Sequence, residues 1–231
     1  MKILSIDTSC KTAMAAVSED DTILASVQIL DQKTHSVKML PAVASILSSA
    51  GVVPADLGLI AVTNGPGSYT GLRIGVTTAK TFAYALGIPL IGINSLEALA
   101  AACDVCGTLP VCPLIDARNE RVYASLYENG KALMKTSALS CKELCEKLKE
   151  EYGGREILFT GDGSVVNAGL LADLLGQMYK PVPVAFSMGN PAAISLLARK
   201  KYAAANAGGL LGECTAERLR VEYYKNYTAS I

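Results

Sequence analysis

The stretch Asn64-Gly65-Pro66-Gly67-Ser68-Tyr69-Thr70-Gly71-Leu72-Arg73-Ile74-Gly75 lies between two apolar patterns of different period. A short run, 57–62, leads into it, and a helical pattern, 72–86, leads out. The glycines therefore sit on a strand-to-helix turn. Such a turn presents free backbone N–H groups at a helix N-terminus, where anions are favoured. Glycine is needed wherever the chain takes φ > 0 or lies against another backbone. Close packing of a helix on its sheet asks for the same residues. Spacing alone favours that second reading, because short glycine motifs recur by chance. The common phosphate-loop templates fail. Gly71 is followed by Leu72-Arg73 rather than Lys-Ser/Thr, and Thr70 stands where a Rossmann fingerprint needs its third glycine.

Upstream, residues 3–6 predict a short strand ending at Asp7-Thr8-Ser9, followed by strands 13–17 and 23–30 around the turn Glu19-Asp20-Asp21. Thr34-His35-Ser36 precedes a helix closed by Gly51. It carries two apolar faces, one through Leu40, Val43, Ala44 and Leu47, the other through Met39, Val43, Ile46 and Ala50. The helix after the glycine-rich turn shows a track of small residues, Gly75, Ala79 and Ala83. It suits either close packing on its own sheet or the approach of another helix. Two over-apolar helices in one half make a subunit interface an expectation. A strand, 90–93, then leads to Asn94, which predicts a cap with Glu97 at the capping-box position, on a helix running to about Cys106.

From Leu109 the pattern repeats. Strand 111–115 runs into Asp116 as strand 3–6 runs into Asp7. Strands 121–127 and 131–136 flank the hairpin turn Glu128-Asn129-Gly130-Lys131. Ser140 and Glu143 form a capping box for a helix ending at Gly153-Gly154. Strand 157–159 leads to Thr160-Gly161-Asp162-Gly163-Ser164, the counterpart of the first glycine-rich turn, and to a helix from 165 to about 178. Asn190-Pro191 starts a last helix, and Gly208-Gly209 stops it. The duplication predicts an α/β protein of two lobes, 1–108 and 109–231, each a mixed sheet flanked by helices. This is the layout of actin-like and sugar-kinase-like (ASKHA) proteins, with Asp7 and Asp116 facing a cleft.

The chain has 231 residues, 51% of them hydrophobic, with zero formal net charge. No basic block supplies the footprint of a protein that grips nucleic acid alone. No apolar run reaches membrane-spanning length, and a carboxylate at Asp7 interrupts any secretory leader, so a cytoplasmic protein is expected. Seven cysteines without small-scaffold spacing read as reduced thiols. Cys103-Asp104-Val105-Cys106 resembles half a zinc site, and Cys112, Cys141 and Cys145 could add ligands. With no second Cys-x-x-Cys, buried free thiols are the better reading.

Taken together, Asp7-Thr8, His35 with Leu40-Pro41, the 64–75 string, and Ile115-Asp116-Ala117-Arg118 with Val122-Tyr123 resemble the TsaB (YeaZ) family. The resemblance is close over the first hundred residues and looser beyond. The family's C-terminal Pro-x-Tyr-Leu-Arg segment is represented only by Leu219-Arg220. The resemblance implies an actin-like paralogue of the catalytic subunit TsaD, needed to form threonylcarbamoyl-adenosine beside the tRNA anticodon. It implies as partners a TsaD-type subunit and a TsaE-type ATPase, with tRNA reached only through the complex, no membrane, and a homodimer when the chain is alone. It implies contact through the helices at 36–50 and 72–86. The interface residues expected there are His35, Met39, Val43, Ile46, Arg73, Val76, Ala79, Lys80 and Ala83.

TsaD-type proteins bind metal through a His-x-x-x-His pair whose positions correspond here to Ser95 and Leu99. The chain has one histidine, His35, so no His pair exists. No catalytic residue and no metal site are expected. Candidate nucleotide or phosphate contacts are Asp7, Thr8, Gly65, Gly67, Ser68, Gly71 and Asp116, for ATP or ADP held weakly at a heterodimer interface, with no tightly bound cofactor. For Asp7 the simpler role is capping its bend, and for Arg73 a solvated or interface position stands beside a phosphate contact. Asp116, Arg118 and Glu120 read as an ion-pair cluster. The alternative function is an ATP-dependent kinase or ATPase of the same fold. A peptidase has least support, lacking His ligands and a Gly-x-Ser-x-Gly elbow.

Overall fold

The computed structural model describes residues 1–30, 35–103 and 109–224. Two five-stranded sheets are built the same way. The first contains β1 (Lys2–Asp7), β2 (Thr12–Glu19), β3 (Thr22–Leu30), β4 (Leu57–Gly65) and β5 (Leu90–Asn94), in the order β3-β2-β1-β4-β5. The second contains β6 (Val111–Asp116), β7 (Arg121–Glu128), β8 (Lys131–Ser140), β9 (Ile157–Thr160) and β10 (Tyr179–Pro181), in the order β8-β7-β6-β9-β10. In each, the first three strands form an antiparallel meander and the last two lie parallel to the first. The duplication read from the sequence is thus present strand for strand. The exception is β10, whose three residues are too short to show a period.

Helices occupy matching positions. α1 (His35–Ser49) and α2 (Tyr69–Leu86) flank β4, and α3 (Ser95–Cys103) follows β5. α4 (Cys141–Tyr152) precedes β9, α5 (Asp162–Val166) and α6 (Ala168–Leu175) follow it, and α7 (Pro191–Ala207) follows β10. The single helix expected over 165–178 is two, broken at Asn167, whose amide donates to Gly163 C=O at 2.8 Å. That side-chain bond competes with the helical ladder. The caps at Asn94, Ser140 and Asn190 form as expected, the Ser140–Glu143 box in both directions. α3 is described to Cys103, so the thiol of Cys106 lies outside the described residues. Among those residues no helix is long and apolar enough to cross a membrane.

The chain forms two compact units, Met1–Ala98 with Asn190–Glu222, and Leu99–Gly189 with Tyr223–Ile231. This corrects the division at 108/109. β1 is buried on both faces, because period-2 alternation sends Leu4 and Ile6 to one side and Ile3 and Ser5 to the other. Leu4 and Ile6 meet α1 and α2 through Met39, Val43, Val76 and Ala79. Ile3 meets Leu59, Ile93 and, from α7, Ile194 and Ala198. Ser5 Oγ lies 3.0 Å from Ser195 Oγ, which pairs the polar atoms of that layer. The last helix of the sequence therefore covers the first sheet. The core of the second unit joins Leu114, Val122 and Phe159 to Leu144, Leu148 and Leu171.

Candidate functional site

The glycine-rich turn leaves β4 at Gly65 and enters α2 at Tyr69, three residues before the sequence pattern begins. Ser68 caps the helix, accepting from the Gly71 N–H at 3.2 Å. The turn is seated on the end of β1. Ser68 N–H donates to Ser9 C=O at 2.7 Å, and the Thr8 hydroxyl donates to Gly71 C=O at 2.6 Å. A Cβ at Gly71 would stand 2.0 Å from the Thr8 carbonyl oxygen, and one at Gly75 would stand 2.3 Å from Thr8 Oγ1. Gly65, at φ 137°, would place a Cβ 2.2 Å from the Glu222 carbonyl oxygen. So Gly65, Gly71 and Gly75 serve close approach of backbone within the chain, the packing reading of the motif. Gly67 likewise faces Ser9.

Asp7 is buried, and its Oδ1 accepts from Ser9 N–H at 2.8 Å and from the Thr63 hydroxyl at 2.6 Å. It caps the bend. Asp116 does the same in the second unit, accepting from Arg118 N–H at 2.8 Å, while its own N–H donates to Asp162 Oδ1. Arg118, Asn119 and Glu120 are all left-handed, at φ 68°, 54° and 55°. Each costs on the order of 1 kcal/mol outside glycine. The bend is closed by backbone bonds from Ala117 to Arg121 and from Cys141 to Glu120, rather than by the expected ion-pair cluster.

The partner-face residues divide. Met39, Val43, Ile46, Val76, Ala79 and Ala83 are buried in their own sheet's core, so they are not available to a partner. Lys80 is half-buried and Arg73 exposed, its guanidinium 4.0 Å over the Tyr69 ring. The side chain of His35 lies outside the described residues. The outward face is a different set. Val37 (71% exposed) and Leu40 (58%) lie on α1 with Pro41 and Ala44, and Tyr69 (55%) and Tyr84 (75%) lie on α2. A groove of about 470 Å³ between Ser36 and the Tyr69–Arg73–Thr77 stripe joins the two helices. Only Leu40 and Ala44 of that set were legible, as part of one of the two apolar faces of α1; Val37, Tyr69 and Tyr84 were missed, and Val43 and Leu47 of the same face are buried.

Ser95 and Leu99 are both buried, and the Ser95 hydroxyl has no hydrogen-bond partner among the described residues. No group of three His, Cys, Asp or Glu side chains among those residues could hold a metal. Among the described residues no two cysteines are joined by a disulfide. Burial raises the pKa of Cys112 and Cys141, and pushes Cys145 up to about 11, with Cys141 adding to the effect.

The sequence model of the TsaD family, described as tRNA N6-adenosine threonylcarbamoyltransferase, matches residues 22–208. The chain is 38% identical to the tRNA threonylcarbamoyladenosine biosynthesis protein TsaB of Bacillus subtilis, over 88% of this chain and 90% of that one. The chain belongs to the TsaB family. YeaZ from Pseudomonas aeruginosa superposes with a TM-score of 0.74 at 24% identity, covering 96% of this chain and 99% of that one. A ROK hexokinase from Thermus thermophilus superposes with a TM-score of 0.52 at 11% identity, covering 87% and 100%. The fold is therefore the actin-like, sugar-kinase-like one that the TsaB resemblance implies.

Proposed function

We propose that this TsaB-family chain is the partner subunit of a TsaD-type threonylcarbamoyltransferase, acting in the cytoplasm and performing no transfer chemistry itself. The observation that carries the reading is the outward face of α1 and α2, with Val37, Leu40, Tyr69 and Tyr84 more than half exposed. Aromatic and aliphatic side chains grouped on one face mark an interaction site. The transferase family model matches most of this chain, so a partner of related fold offers an equivalent helix pair. Two such pairs meet in a pseudo-twofold contact, and two copies of this chain use the same face when alone.

The non-catalytic part rests on residues. One histidine cannot form a His pair, and buried Ser95 and Leu99 stand at the matching positions. The glycines of the 64–75 turn face Thr8, Ser9 and Glu222 of the same chain, which supports a turn that holds no nucleotide tightly. Zero net charge supports tRNA contact through the complex, with a TsaE-type ATPase as third member.

The test is threonylcarbamoyl-adenosine formation on tRNA by the cognate TsaD- and TsaE-type proteins, with and without this chain. Product that depends on the chain is the expected result, and Leu40→Glu with Tyr84→Ala should weaken co-elution with the catalytic subunit about tenfold or more. Product formed equally without the chain would overturn the reading.

A further inference from the structure

Six residues after α7, the chain returns across the first sheet as a strap, 213–222. Cys214 C=O accepts from Leu90 N–H on the edge strand β5 at 2.9 Å. Leu219, Val221 and Ala216 pack against the first core, and Leu219 lies over Gly92, where a Cβ would stand 2.7 Å from its Cδ1. The strap then reaches the last turn of β4. Glu222 N–H donates to Asn64 C=O at 2.7 Å. The Asn64 side-chain amide donates back to Arg220 C=O at 3.1 Å and to Glu222 Oε1 at 3.3 Å. Gly65 makes room for the Glu222 carbonyl.

Asn64 and Gly65 are the residues from which the glycine-rich turn departs. That turn is therefore held on two sides, by Thr8 and Ser9 at the end of β1 and by the strap at Asn64. Just beyond it stand Tyr69 and Arg73, exposed residues of the first turns of α2 on its outward face.

We propose that the 213–222 strap is a clamp on the glycine-rich turn, with Asn64 and Leu219 as positioning residues that fix the start of α2 for docking. The docking consequence rests on the partner reading above; the clamp itself does not. A loosened strap frees Asn64, lets the turn lift from Ser9, and blurs the position of Tyr69 and Arg73. No residue of the outward face need change.

Hydrogen exchange on the full chain tests the clamp directly. The amides of Ser68, Gly71 and Leu72 are hydrogen-bonded in the turn. In Asn64→Ala and in Leu219→Ala they should exchange about tenfold faster, while amides of Leu4, Ile6 and Leu114 keep wild-type rates. Glu222→Gln retains the Oε1 acceptor and should behave as wild type. Wild-type rates at Ser68, Gly71 and Leu72 in both variants would overturn the proposal, as would an equal rise at Leu4, Ile6 and Leu114, which marks general loss of stability. Leu219→Ala should also weaken binding to the catalytic subunit about tenfold. Faster exchange with unchanged binding overturns the link to docking. A wild-type chain that binds no such subunit removes the proposed function and leaves the exchange result standing.

Discussion

Asp7 Oδ1 accepts a backbone N–H and a hydroxyl inside a buried bend, and Asp116 Oδ1 repeats the backbone half of that arrangement. In both places a carboxylate at the end of a first strand organises the chain that follows. The spacing of these residues was visible in the sequence, and capping was the simpler reading of Asp7; Asp116 read instead as part of an ion-pair cluster, because a carboxylate beside an arginine suits a cap and a counter-charge alike. The cysteines carry a second residue-scale consequence. Cys145 is buried, with its pKa raised to about 11. An unfolded thiol ionises near about 8.5. The neutral buried thiol thus contributes stability that is fully present below about pH 8.5 and is lost as pH rises toward about 11. The denaturation midpoint should fall across that window, with a shallower slope in Cys145→Ala. Identical slopes in the two proteins would remove Cys145 from the account.

At the scale of elements, α1 and α2 show what periodicity leaves open. Both helices were recognisable, and α1 was seen to have two apolar faces. A period of 3.6 residues marks a face without saying what covers it. The sheet took Met39, Val43 and Ile46, and left Leu40 and Ala44 outside. The small-residue track of α2 went the same way, with Ala79 and Ala83 in the core and Gly75 against Thr8. Ala79→Arg should therefore act on folding and not on docking. A buried guanidinium and an overfilled core cost about 3 kcal/mol or more, and the melting temperature should drop accordingly. Leu40→Glu, on the outward face, should leave melting nearly unchanged. A fully stable Ala79→Arg protein would mean the face assignment of α2 is reversed. The break at Asn167 and the three-residue β10 escaped the sequence for a related reason. One depends on a single side-chain bond, and the other is too short to carry a pattern.

At the scale of the whole molecule, the two sheets repeat one topology, yet the units are not two halves of the sequence. α7 lies on the first sheet, where Ile194 and Ala198 cover Ile3, Leu59 and Ile93 and Ser195 meets Ser5. A chain ending at residue 108 should therefore lack a cooperative thermal transition and bind a hydrophobic dye, because one face of its sheet is bare. A sharp transition with protected Ile3 and Leu59 amides would show that α7 is dispensable to that unit. By itself the sequence determined the strands, most helices and caps, the duplication, and membership of the TsaB family, because each rests on local period, turn chemistry or a specific string of residues. Only the tertiary structure decided which helix face turns inward, where α7 and the 213–222 strap lie, and that the glycines of 64–75 meet Thr8, Ser9 and Glu222. Those outcomes depend on contacts between residues far apart in the chain. No local pattern records them, since burial is settled by what the rest of the molecule brings to each surface.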